Sequence, residues 1–267
     1  MVDAVTVERH ARVALIRLNQ PKSRNALGPA IKAGLAAAIP SLTSDPSIGC
    51  IVITGSDGAF CSGGDLTNMQ DRTAPAVRAR LEASHAWARL LLTSEVPVVA
   101  AVNGSAAGAG FSLAMLCDIV LMSDTAYMQA GFPAVGAVPD LGLALTLPRA
   151  IGMARARELL LTNRRVDAAE AVRLGLAVRS CPAETLMDEA HKTAAAIAAG
   201  PRTSLGLTKL LLNQAYGPIE RYLQEEGMAQ AVAFGSDDFA EGVSAFLGKR
   251  RPVFPSSERQ GSADHDR

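Results

Sequence analysis

Two loops of the sequence are almost free of large side chains and could bind an anionic oxygen through backbone amides. One is AFCSGGDL, residues 59–66, and the other is NGSAAGAGFSLA, residues 103–114. Each follows a short apolar run, and each has glycines where side chains would keep a ligand away from backbone N–H groups. The second loop also enters a helical pattern, whose first N–H groups carry partial positive charge. The pair indicates an oxyanion site, although small residues could also serve only to pack a helix closely on a strand.

Established phosphate and nucleophile motifs match the second loop poorly. From Gly108 the chain reads GAGFSL, which lacks the last small residue of the dinucleotide fingerprint, and no GK[ST] tripeptide completes a P-loop. Ser112 lies in GFSLA, which is close to the nucleophile elbow GxSxG but without its final glycine. Thioester hydrolysis by Ser112 therefore stays an outlying alternative.

Short strands that alternate with helices must position the two loops. The opening residues VTVERHARVALIRL predict a β-hairpin. Three apolar runs predict buried strands: GCIVITGS (49–56), PVVAAVNG (97–104) and DIVLMSD (118–124). Helices are predicted from Asn25, as an N-cap, to residue 39, over residues 77–93, and for about two turns from Ala109. This order predicts an α/β architecture whose strands are covered on both faces.

The remainder of the chain after Leu141 has an almost wholly helical pattern and ends in the polar tail SSERQGSADHDR. We expect three parts. Residues 1–200 form the α/β core, residues 201–255 form a helical C-terminal region, and residues 256–267 are a disordered tail.

The composition excludes several functional classes. Lys plus Arg and Asp plus Glu number 26 each among 267 residues, so no overall field favours nucleic acid or an anionic membrane. No apolar run is long enough to cross a bilayer, and the N-terminus has no signal-peptide pattern. The four cysteines form no CxxC pair and are interpreted as core residues of a cytoplasmic protein. No His, Asp or Glu cluster has the spacing of metal ligands.

The two loops, together with GFPAVGAVPDLGLALTLPRAIG and AFLGKRRPVF further along, resemble the crotonase (enoyl-CoA hydratase/isomerase) superfamily. The resemblance extends from the N-terminal hairpin to Phe254. It implies a spiral core of ββα turns and a C-terminal helical region that forms a homotrimer or a dimer of trimers. It also implies acyl-CoA substrates and no separate cofactor, since coenzyme A is part of the substrate.

By motif, the resemblance assigns the oxyanion donors to the backbone N–H groups of Gly64 and Ala109. Such donors stabilise the charge that develops on a thioester oxygen when the adjacent carbon loses a proton. A wider set is implied to contact coenzyme A or the acyl group: Lys22, Arg24, Ala26, Ser62, Gly63, Asp65, Leu66, Gly108, Phe132, Pro139, Phe246 and Lys249. A solvated turn is the alternative for Lys22 and Arg24, and a helix cap is the alternative for Asp65.

Asp140 is the carboxylate that the resemblance leaves for proton transfer. Hydratases of the superfamily resemble one another in two glutamates, and the matching positions here are Ser112 and Phe132. Asp140 follows Gly136 by four residues and matches the acid of double-bond isomerases, including dienoyl-CoA and epoxyphenylacetyl-CoA isomerases. One base can move a proton between two carbons, whereas hydration requires an acid and a base. The alternative is that Asp140 only caps a helix beginning at Leu141.

The sequence therefore predicts an enoyl-CoA isomerase with Asp140 as acid and base. An enoyl-CoA hydratase with water positioned by Asp140, and a catalytically impaired acyl-CoA-binding protein, are the alternatives. The pKa of Asp140 is subject to two opposed effects: apolar neighbours raise it and a helix N-terminus lowers it. The neighbours expected to raise it are Phe132, Val135, Val138 and Leu141.

Overall fold

The computed structural model describes residues 3–68, 73–215 and 219–254, so the predicted tail 256–267 lies outside the described residues. The strands are β1 (Val5–His10), β2 (Val13–Leu18), β3 (Cys50–Gly55), β4 (Ala59–Cys61), β5 (Val98–Val102), β6 (Ser105–Ala107), β7 (Ile119–Ser123), β8 (Tyr127–Gln129), β9 (Arg165–Asp167) and β10 (Arg179–Cys181). The α-helices are α1 (Pro29–Ser44), α2 (Ala74–Thr93), α3 (Ala109–Met115), α4 (Leu143–Ile151), α5 (Met153–Thr162), α6 (Ala168–Leu174), α7 (Leu186–Ala198), α8 (Arg202–Gln214), α9 (Ile219–Phe234) and α10 (Asp237–Leu247).

Two sheets form the core, and the chain alternates between them. The larger sheet has the order β1-β2-β3-β5-β7-β10, and the smaller sheet has the order β4-β6-β8-β9. β3, β5 and β7 each contribute a parallel strand to the larger sheet, and the chain then adds β4, β6 or β8 to the smaller one. After β4 and β6 it continues into α2 and α3. Each unit of two strands and one helix thus adds one turn to a spiral.

The central strands of the larger sheet, β2, β3, β5 and β7, are buried on both faces, as their apolar sequences predict. In β3, Ile51 and Ile53 pack in one hydrophobic cluster, while Cys50 and Val52 pack in the other. The second cluster lies under α7, whose buried residues are Leu186, Ala190, Ala194 and Ala198. Their spacing of four places small side chains on one helix face, so α7 lies close to the sheet. The predicted α/β architecture is confirmed in this respect.

Two details of the predicted elements are wrong. The region after Leu141 is not wholly helical, because β9 and β10, of three residues each, add one edge strand to each sheet. Asn25 is not the N-cap of α1, since the helix begins at Pro29 after Gly28. Asn25 is instead fully buried, and its Nδ2 donates to the carbonyl oxygens of Ser56 and Ala59.

Helix α8 is attached to the larger sheet by a buried lysine. Nζ of Lys209 lies 2.9 Å from Oδ2 of Asp118 and also donates to the carbonyl oxygen of Val96 at 2.8 Å. The Asp118 carboxylate also accepts from the N–H of Val98 at 2.7 Å. Both charged groups are thus satisfied at the start of β5. Over the described residues, no helix has the length and apolar character needed to cross a membrane.

Candidate active site

Both glycine loops follow strands of the smaller sheet. The chain passes from β3 and β5 into β4 and β6 before each loop, so the loops do not leave the buried strands directly, as the sequence suggested. β4, β6 and β8 are parallel neighbours, and their carboxyl ends meet at one edge of the sheet. The segments 62–64, 108–109 and 130–132 therefore converge at this edge, which is where ligands commonly bind in α/β folds.

Gly63 and Gly108 allow the two loops to touch. Their φ angles are +107° and +53°, in the left-handed region that side chains disfavour. A Cβ atom on Gly63 would lie 2.9 Å from the carbonyl oxygen of Ala107, which real Cβ atoms do not tolerate. A Cβ atom on Gly108 would lie 3.6 Å from Cα of Gly63. The absence of side chains here is thus a requirement of close backbone approach.

The candidate oxyanion donors lie at this contact. Ala109 is the first residue of α3, so its N–H has no acceptor within the helix. Gly64 pairs with Leu27 in an isolated parallel bridge, in which the Leu27 N–H donates to Gly63 at 2.7 Å. Within the described part of the chain, neither the Gly64 N–H nor the Ala109 N–H donates to a protein acceptor. Both remain available to an added oxygen.

The N-terminal segment that the sequence assigns to coenzyme A binding is attached to the first loop. The N–H of Ser62 donates to the carbonyl oxygen of Arg24 at 3.0 Å, and Oγ of Ser62 donates to that of Ser23 at 2.9 Å. Lys22 and Arg24 are exposed there, and Ala26 is buried. The structure thus brings the basic segment next to the candidate donors.

Asp140 is not a helix cap. Helix α4 begins at Leu143, and its N-cap is Gly142 rather than Asp140. The carboxylate of Asp140 instead faces α3, where Oγ of Ser112 lies 3.5 Å from Oδ1. This distance is long for a hydroxyl hydrogen bond, so the Ser112 side chain occupies little of the hydrogen-bonding capacity of the Asp140 carboxylate. Leu141, the next residue, is buried and has a φ of +45°.

Burial decides the pKa of Asp140. The carboxylate is partly buried, and this desolvation raises its pKa above the usual range. The charge of Lys32, the Ser112 hydroxyl and the charge of His85 offset the rise only in part. Val135 and Val138 are not the cause, because they are 54% and 80% exposed. The expectation that these two valines surround the carboxylate is therefore wrong.

Lys32 is a site residue that sequence reasoning missed. It lies one turn into α1, and its backbone N–H donates to the carbonyl oxygen of Gly28. Burial lowers its pKa, whereas the charges of Asp140 and Asp65 raise it. Helix α1 begins two residues after Leu27, which pairs with Gly64 of the glycine loop, so the packing of α1 brings Lys32 to the site. Nothing in the local sequence marks this lysine as different from an exposed one.

Nucleophilic chemistry finds little support at the site. Ser112 is fully buried, and its hydroxyl donates to Gly108 at 3.3 Å and to Asp140. Burial raises the pKa of the Cys61 thiol to about 12, so this cysteine stays protonated and unreactive at neutral pH. Over the described residues, no group of three or more His, Cys, Asp or Glu side chains could hold a metal ion.

The remaining predicted contact residues separate into two regions. Asp65 accepts from the N–H of Thr67 at 3.0 Å and caps the short turn Leu66–Asn68, as the alternative reading supposed. Phe246, which is 83% exposed, lines a groove of about 380 Å³ on the C-terminal helices, and Lys249 follows that helix. Among the described residues, none that lines this groove comes from the glycine loops.

Phe132 and Pro139 belong to the segment that precedes Asp140 in the chain. Phe132 begins the short helical turn after Gly131 and is 7% exposed, whereas Pro139 is half-buried. Two candidate backbone donors thus lie at the contact of the loops, and a carboxylate with a raised pKa faces helix α3, which begins at one of them. Such a site can stabilise an enolate and move a proton.

Comparison with known proteins gives a consistent family. A sequence model of the enoyl-CoA hydratase/isomerase family matches residues 8–257. A probable enoyl-CoA hydratase of Mycobacterium tuberculosis is 39% identical over 254 residues, which are 94% of this chain and 98% of that protein. The 1,2-epoxyphenylacetyl-CoA isomerase of Escherichia coli is 36% identical over 247 residues, 91% of this chain and 94% of that protein.

Solved structures agree with this result. The crystal structure of an enoyl-CoA hydratase from Polaromonas sp. superposes with a TM-score of 0.87 at 35% sequence identity, covering 93% of this chain and 98% of that one. A second such structure, from Geobacillus kaustophilus, has a TM-score of 0.89 at 33% identity and covers 95% and 98% of the two chains. The expected fold, a ββα spiral followed by C-terminal helices, is confirmed.

Proposed function

The chain belongs to the enoyl-CoA hydratase/isomerase family, and from this premise we propose that it is an enoyl-CoA isomerase with Asp140 as acid and base. The observation that carries the proposal is the single carboxylate of the site. Ser112 and Phe132 stand where the resemblance to hydratases would place glutamates, and Ser112 contacts Asp140 directly. A site with one proton-transferring group suits movement of a double bond better than addition of water.

In the proposed reaction, the thioester oxygen accepts from the N–H groups of Gly64 and Ala109. Ionised Asp140 removes a proton from C2 of a 3-enoyl thioester, and the electron pair forms a dienolate whose charge the two donors stabilise. Protonated Asp140 then returns the proton to C4, which leaves the double bond between C2 and C3. The direction of the pKa shift of Asp140 suits the first step, since a carboxylate with a raised pKa is a stronger base.

We propose that coenzyme A binds along the N-terminal segment and the first glycine loop. Lys22 and Arg24 are exposed and would meet its phosphates, which favour cationic side chains. The pantetheine arm would pass Ala26, Ser62, Gly63, Asp65 and Leu66, and the acyl group would lie near Gly108, Phe132 and Pro139. Phe246 and Lys249 would contact the adenine of the same or a neighbouring subunit. Coenzyme A is here part of the substrate and not a resident cofactor.

We also propose that the chain assembles as a homotrimer or a dimer of trimers. The C-terminal helices expose large apolar side chains, including Met228, Val232, Phe234, Phe246 and Leu247. Apolar exposure of this kind commonly marks an interface between subunits. Sedimentation equilibrium would test the proposal, and a monomer at micromolar concentration would contradict it.

Enoyl-CoA hydratase is the second candidate, favoured by the names of the similar proteins from Mycobacterium tuberculosis and Polaromonas. In this alternative, Asp140 positions a water molecule that adds to the double bond. The two functions predict opposite changes in the absorbance of the conjugated thioester. An isomerase forms that chromophore from a 3-enoyl substrate, whereas a hydratase removes it from a 2-enoyl substrate.

The experiment compares 3-hexenoyl-CoA and crotonyl-CoA at equal concentrations. We expect 3-hexenoyl-CoA to gain the conjugated absorbance faster than crotonyl-CoA loses it. Deuterium placed at C2 of 3-hexenoyl-CoA should appear in part at C4 of the product, because one carboxylate carries it across. Faster loss of the crotonyl-CoA chromophore would establish the hydratase instead. Binding of both thioesters without turnover would establish an acyl-CoA-binding protein.

A further inference from the structure

A small cavity with charged walls lies beside the candidate donors. It has a volume of about 180 Å³ and is lined by Lys32, Asp65 and Arg80 together with Leu27, Gly28, Pro29 and Ala83. Leu27 pairs with Gly64, and Asp65 follows Gly64 directly, so the cavity opens next to one of the two donors. A Cβ atom on Gly28 would lie 3.0 Å from Oδ2 of Asp65, which shows how closely α1 approaches this loop.

Lys32 connects the cavity to Asp140. Its charge interacts with Asp140 and with Asp65, which follow it in the chain by 108 and 33 residues. Over the described residues, Nζ of Lys32 forms no ion pair or hydrogen bond. The residue is half-buried, so part of the hydration of its ammonium group is lost. A ligand oxygen that accepted a hydrogen bond from Nζ would replace this hydration, whereas an alkyl group would remove more of it.

The formal charge of Lys32 and the three formal charges that act on it sum to zero. Lys32 and Arg80 contribute two positive charges, and Asp65 and ionised Asp140 contribute two negative charges. The balance favours a polar but uncharged ligand group over a carboxylate, which would add a third negative charge beside the base. With one water occupying about 30 Å³ of liquid, the volume holds about six non-hydrogen atoms.

Resting on the proposed acyl-CoA activity, we propose that this cavity receives the far end of a short acyl group and that Lys32 selects acyl groups carrying an uncharged oxygen there. The oxygen would be that of a hydroxyl, ether or carbonyl group, accepting from Nζ. Lys32 would thus determine specificity, while the chemistry stays with Asp140. An apolar pocket would show the opposite preference, since a methyl group gains more than a hydroxyl from apolar burial.

Binding of saturated thioesters tests the proposal without requiring turnover. Hexanoyl-CoA and 5-hydroxypentanoyl-CoA have the same number of chain atoms and differ only in a terminal methyl or hydroxyl group. By calorimetry, we expect the wild-type protein to bind the hydroxy compound about tenfold more tightly, the size of one hydrogen bond to a charged group. In Lys32→Met the order should reverse, and in Lys32→Arg it should be retained.

Lys192→Met, at an exposed position on α7, is the matched control and should keep the wild-type ratio. Equal or tighter binding of hexanoyl-CoA by the wild-type protein would overturn the inference and leave the proposed function standing. Tighter binding of glutaryl-CoA than of either compound would also overturn it, because a carboxylate would then be preferred. If a folded Lys32→Met variant bound both ligands more weakly by the same factor, Lys32 would have only a structural role and the inference would be overturned. Binding of neither thioester by wild-type protein would overturn the proposed function itself.

Discussion

The carboxylates of Asp118 and Asp140 both have a pKa that burial raises, and both lie near a lysine. Asp118 is 2.9 Å from Lys209 and also accepts from the backbone N–H of Val98. Asp140 has a 3.5 Å contact with the hydroxyl of Ser112 and a hydrogen bond from its own backbone N–H, and Lys32 and His85 act on it through charge. The first carboxylate is committed to joining α8 to the sheet. The second is held in place but left free to exchange a proton.

Hydrogen bonding thus distinguishes the structural carboxylate of Asp118 from the proposed base Asp140, whereas burial does not. The pKa values of Asp118 and Asp140 are shifted in the same direction, and only their hydrogen bonds distinguish the two carboxylates. A carboxylate paired with a lysine and hydrogen-bonded stabilises the fold, so its loss should lower the free energy of unfolding. A buried carboxylate without such partners costs some stability, so its loss should lower the reaction rate but not the free energy of unfolding. The predictions below test this separation.

The largest effect is expected for Asp140→Asn. The amide cannot take up the proton, so turnover of a 3-enoyl-CoA should fall by about 10²–10⁴-fold, the usual contribution of acid–base catalysis. Affinity for a saturated acyl-CoA should be unchanged. Absorbance assays measure the first quantity and calorimetry the second. Asp118→Asn serves as the matched control and should retain turnover per folded molecule. Unaltered turnover in Asp140→Asn would rule out the proposed base.

The candidate donors should behave like Asp140 and unlike Asp118. Ala109→Pro removes one donor at the first position of α3, where proline fits without breaking the helix. The rate constant kcat should fall by about 10²–10³-fold, as at other oxyanion sites, with little change in the free energy of unfolding. Ala109→Ser keeps the N–H and should retain most activity. Equal activity of the two variants would argue against this donor.

Loss of the Lys209–Asp118 ion pair should have the opposite effect, lowering stability and leaving turnover unchanged. Lys209→Met leaves the Asp118 carboxylate without its ammonium partner and the Val96 carbonyl without its donor. We expect the free energy of unfolding to fall by about 3 kcal/mol, measured by urea titration. Turnover per folded molecule should be unchanged. The double variant Asp118→Asn with Lys209→Met should recover part of the lost stability, and failure to recover any would count against a paired role.

The smallest effect is expected in the pH dependence of stability. Because the folded pKa of Asp140 lies above its unfolded pKa, the folded state binds more protons between the two values. Stability of the wild-type protein therefore falls as pH rises through that interval. Asp140→Asn avoids this cost and should melt about 2 °C higher at pH 7.5.

The same melting experiment at lower pH provides the control. As pH falls below the folded pKa of Asp140, the wild-type carboxyl becomes neutral and the difference from Asp140→Asn should shrink. A difference that stayed constant down to pH 4 would show that the asparagine acts through packing and not through charge.

The sequence predicted the strands and the loops better than it predicted the surroundings of Asp140. Continuous apolar residues in β3, β5 and β7 leave few alternatives to buried strands. The three-residue strands β9 and β10 are too short to produce a pattern, and each pairs with a strand that is distant in sequence, β8 or β7. Asn25 resembles a cap in the sequence, but its side chain is used to hold distant carbonyl groups.

Backbone positions of the candidate site were easier to predict from the sequence than contacts between side chains of distant elements. The bare loops suggested an oxyanion site, the resemblance to the family assigned Gly64, Ala109 and Asp140 to it, and their roles stay predictions. Lys32 could not be placed, because its relevance depends on how α1 packs against residues about a hundred positions away. Val135 and Val138 were misjudged because apolar type alone does not show which face of a loop is covered.

Leu141, directly after the candidate base, has a left-handed backbone and a buried side chain. For a residue other than glycine this conformation costs about 1–2 kcal/mol, and the hydrophobic anchoring of the side chain maintains it. Leu141→Gly would remove this backbone cost, but it would also lose a buried side chain worth about 1.5–3 kcal/mol. The two contributions nearly cancel, so leucine can fix the direction of the neighbouring carboxylate at little net cost to stability.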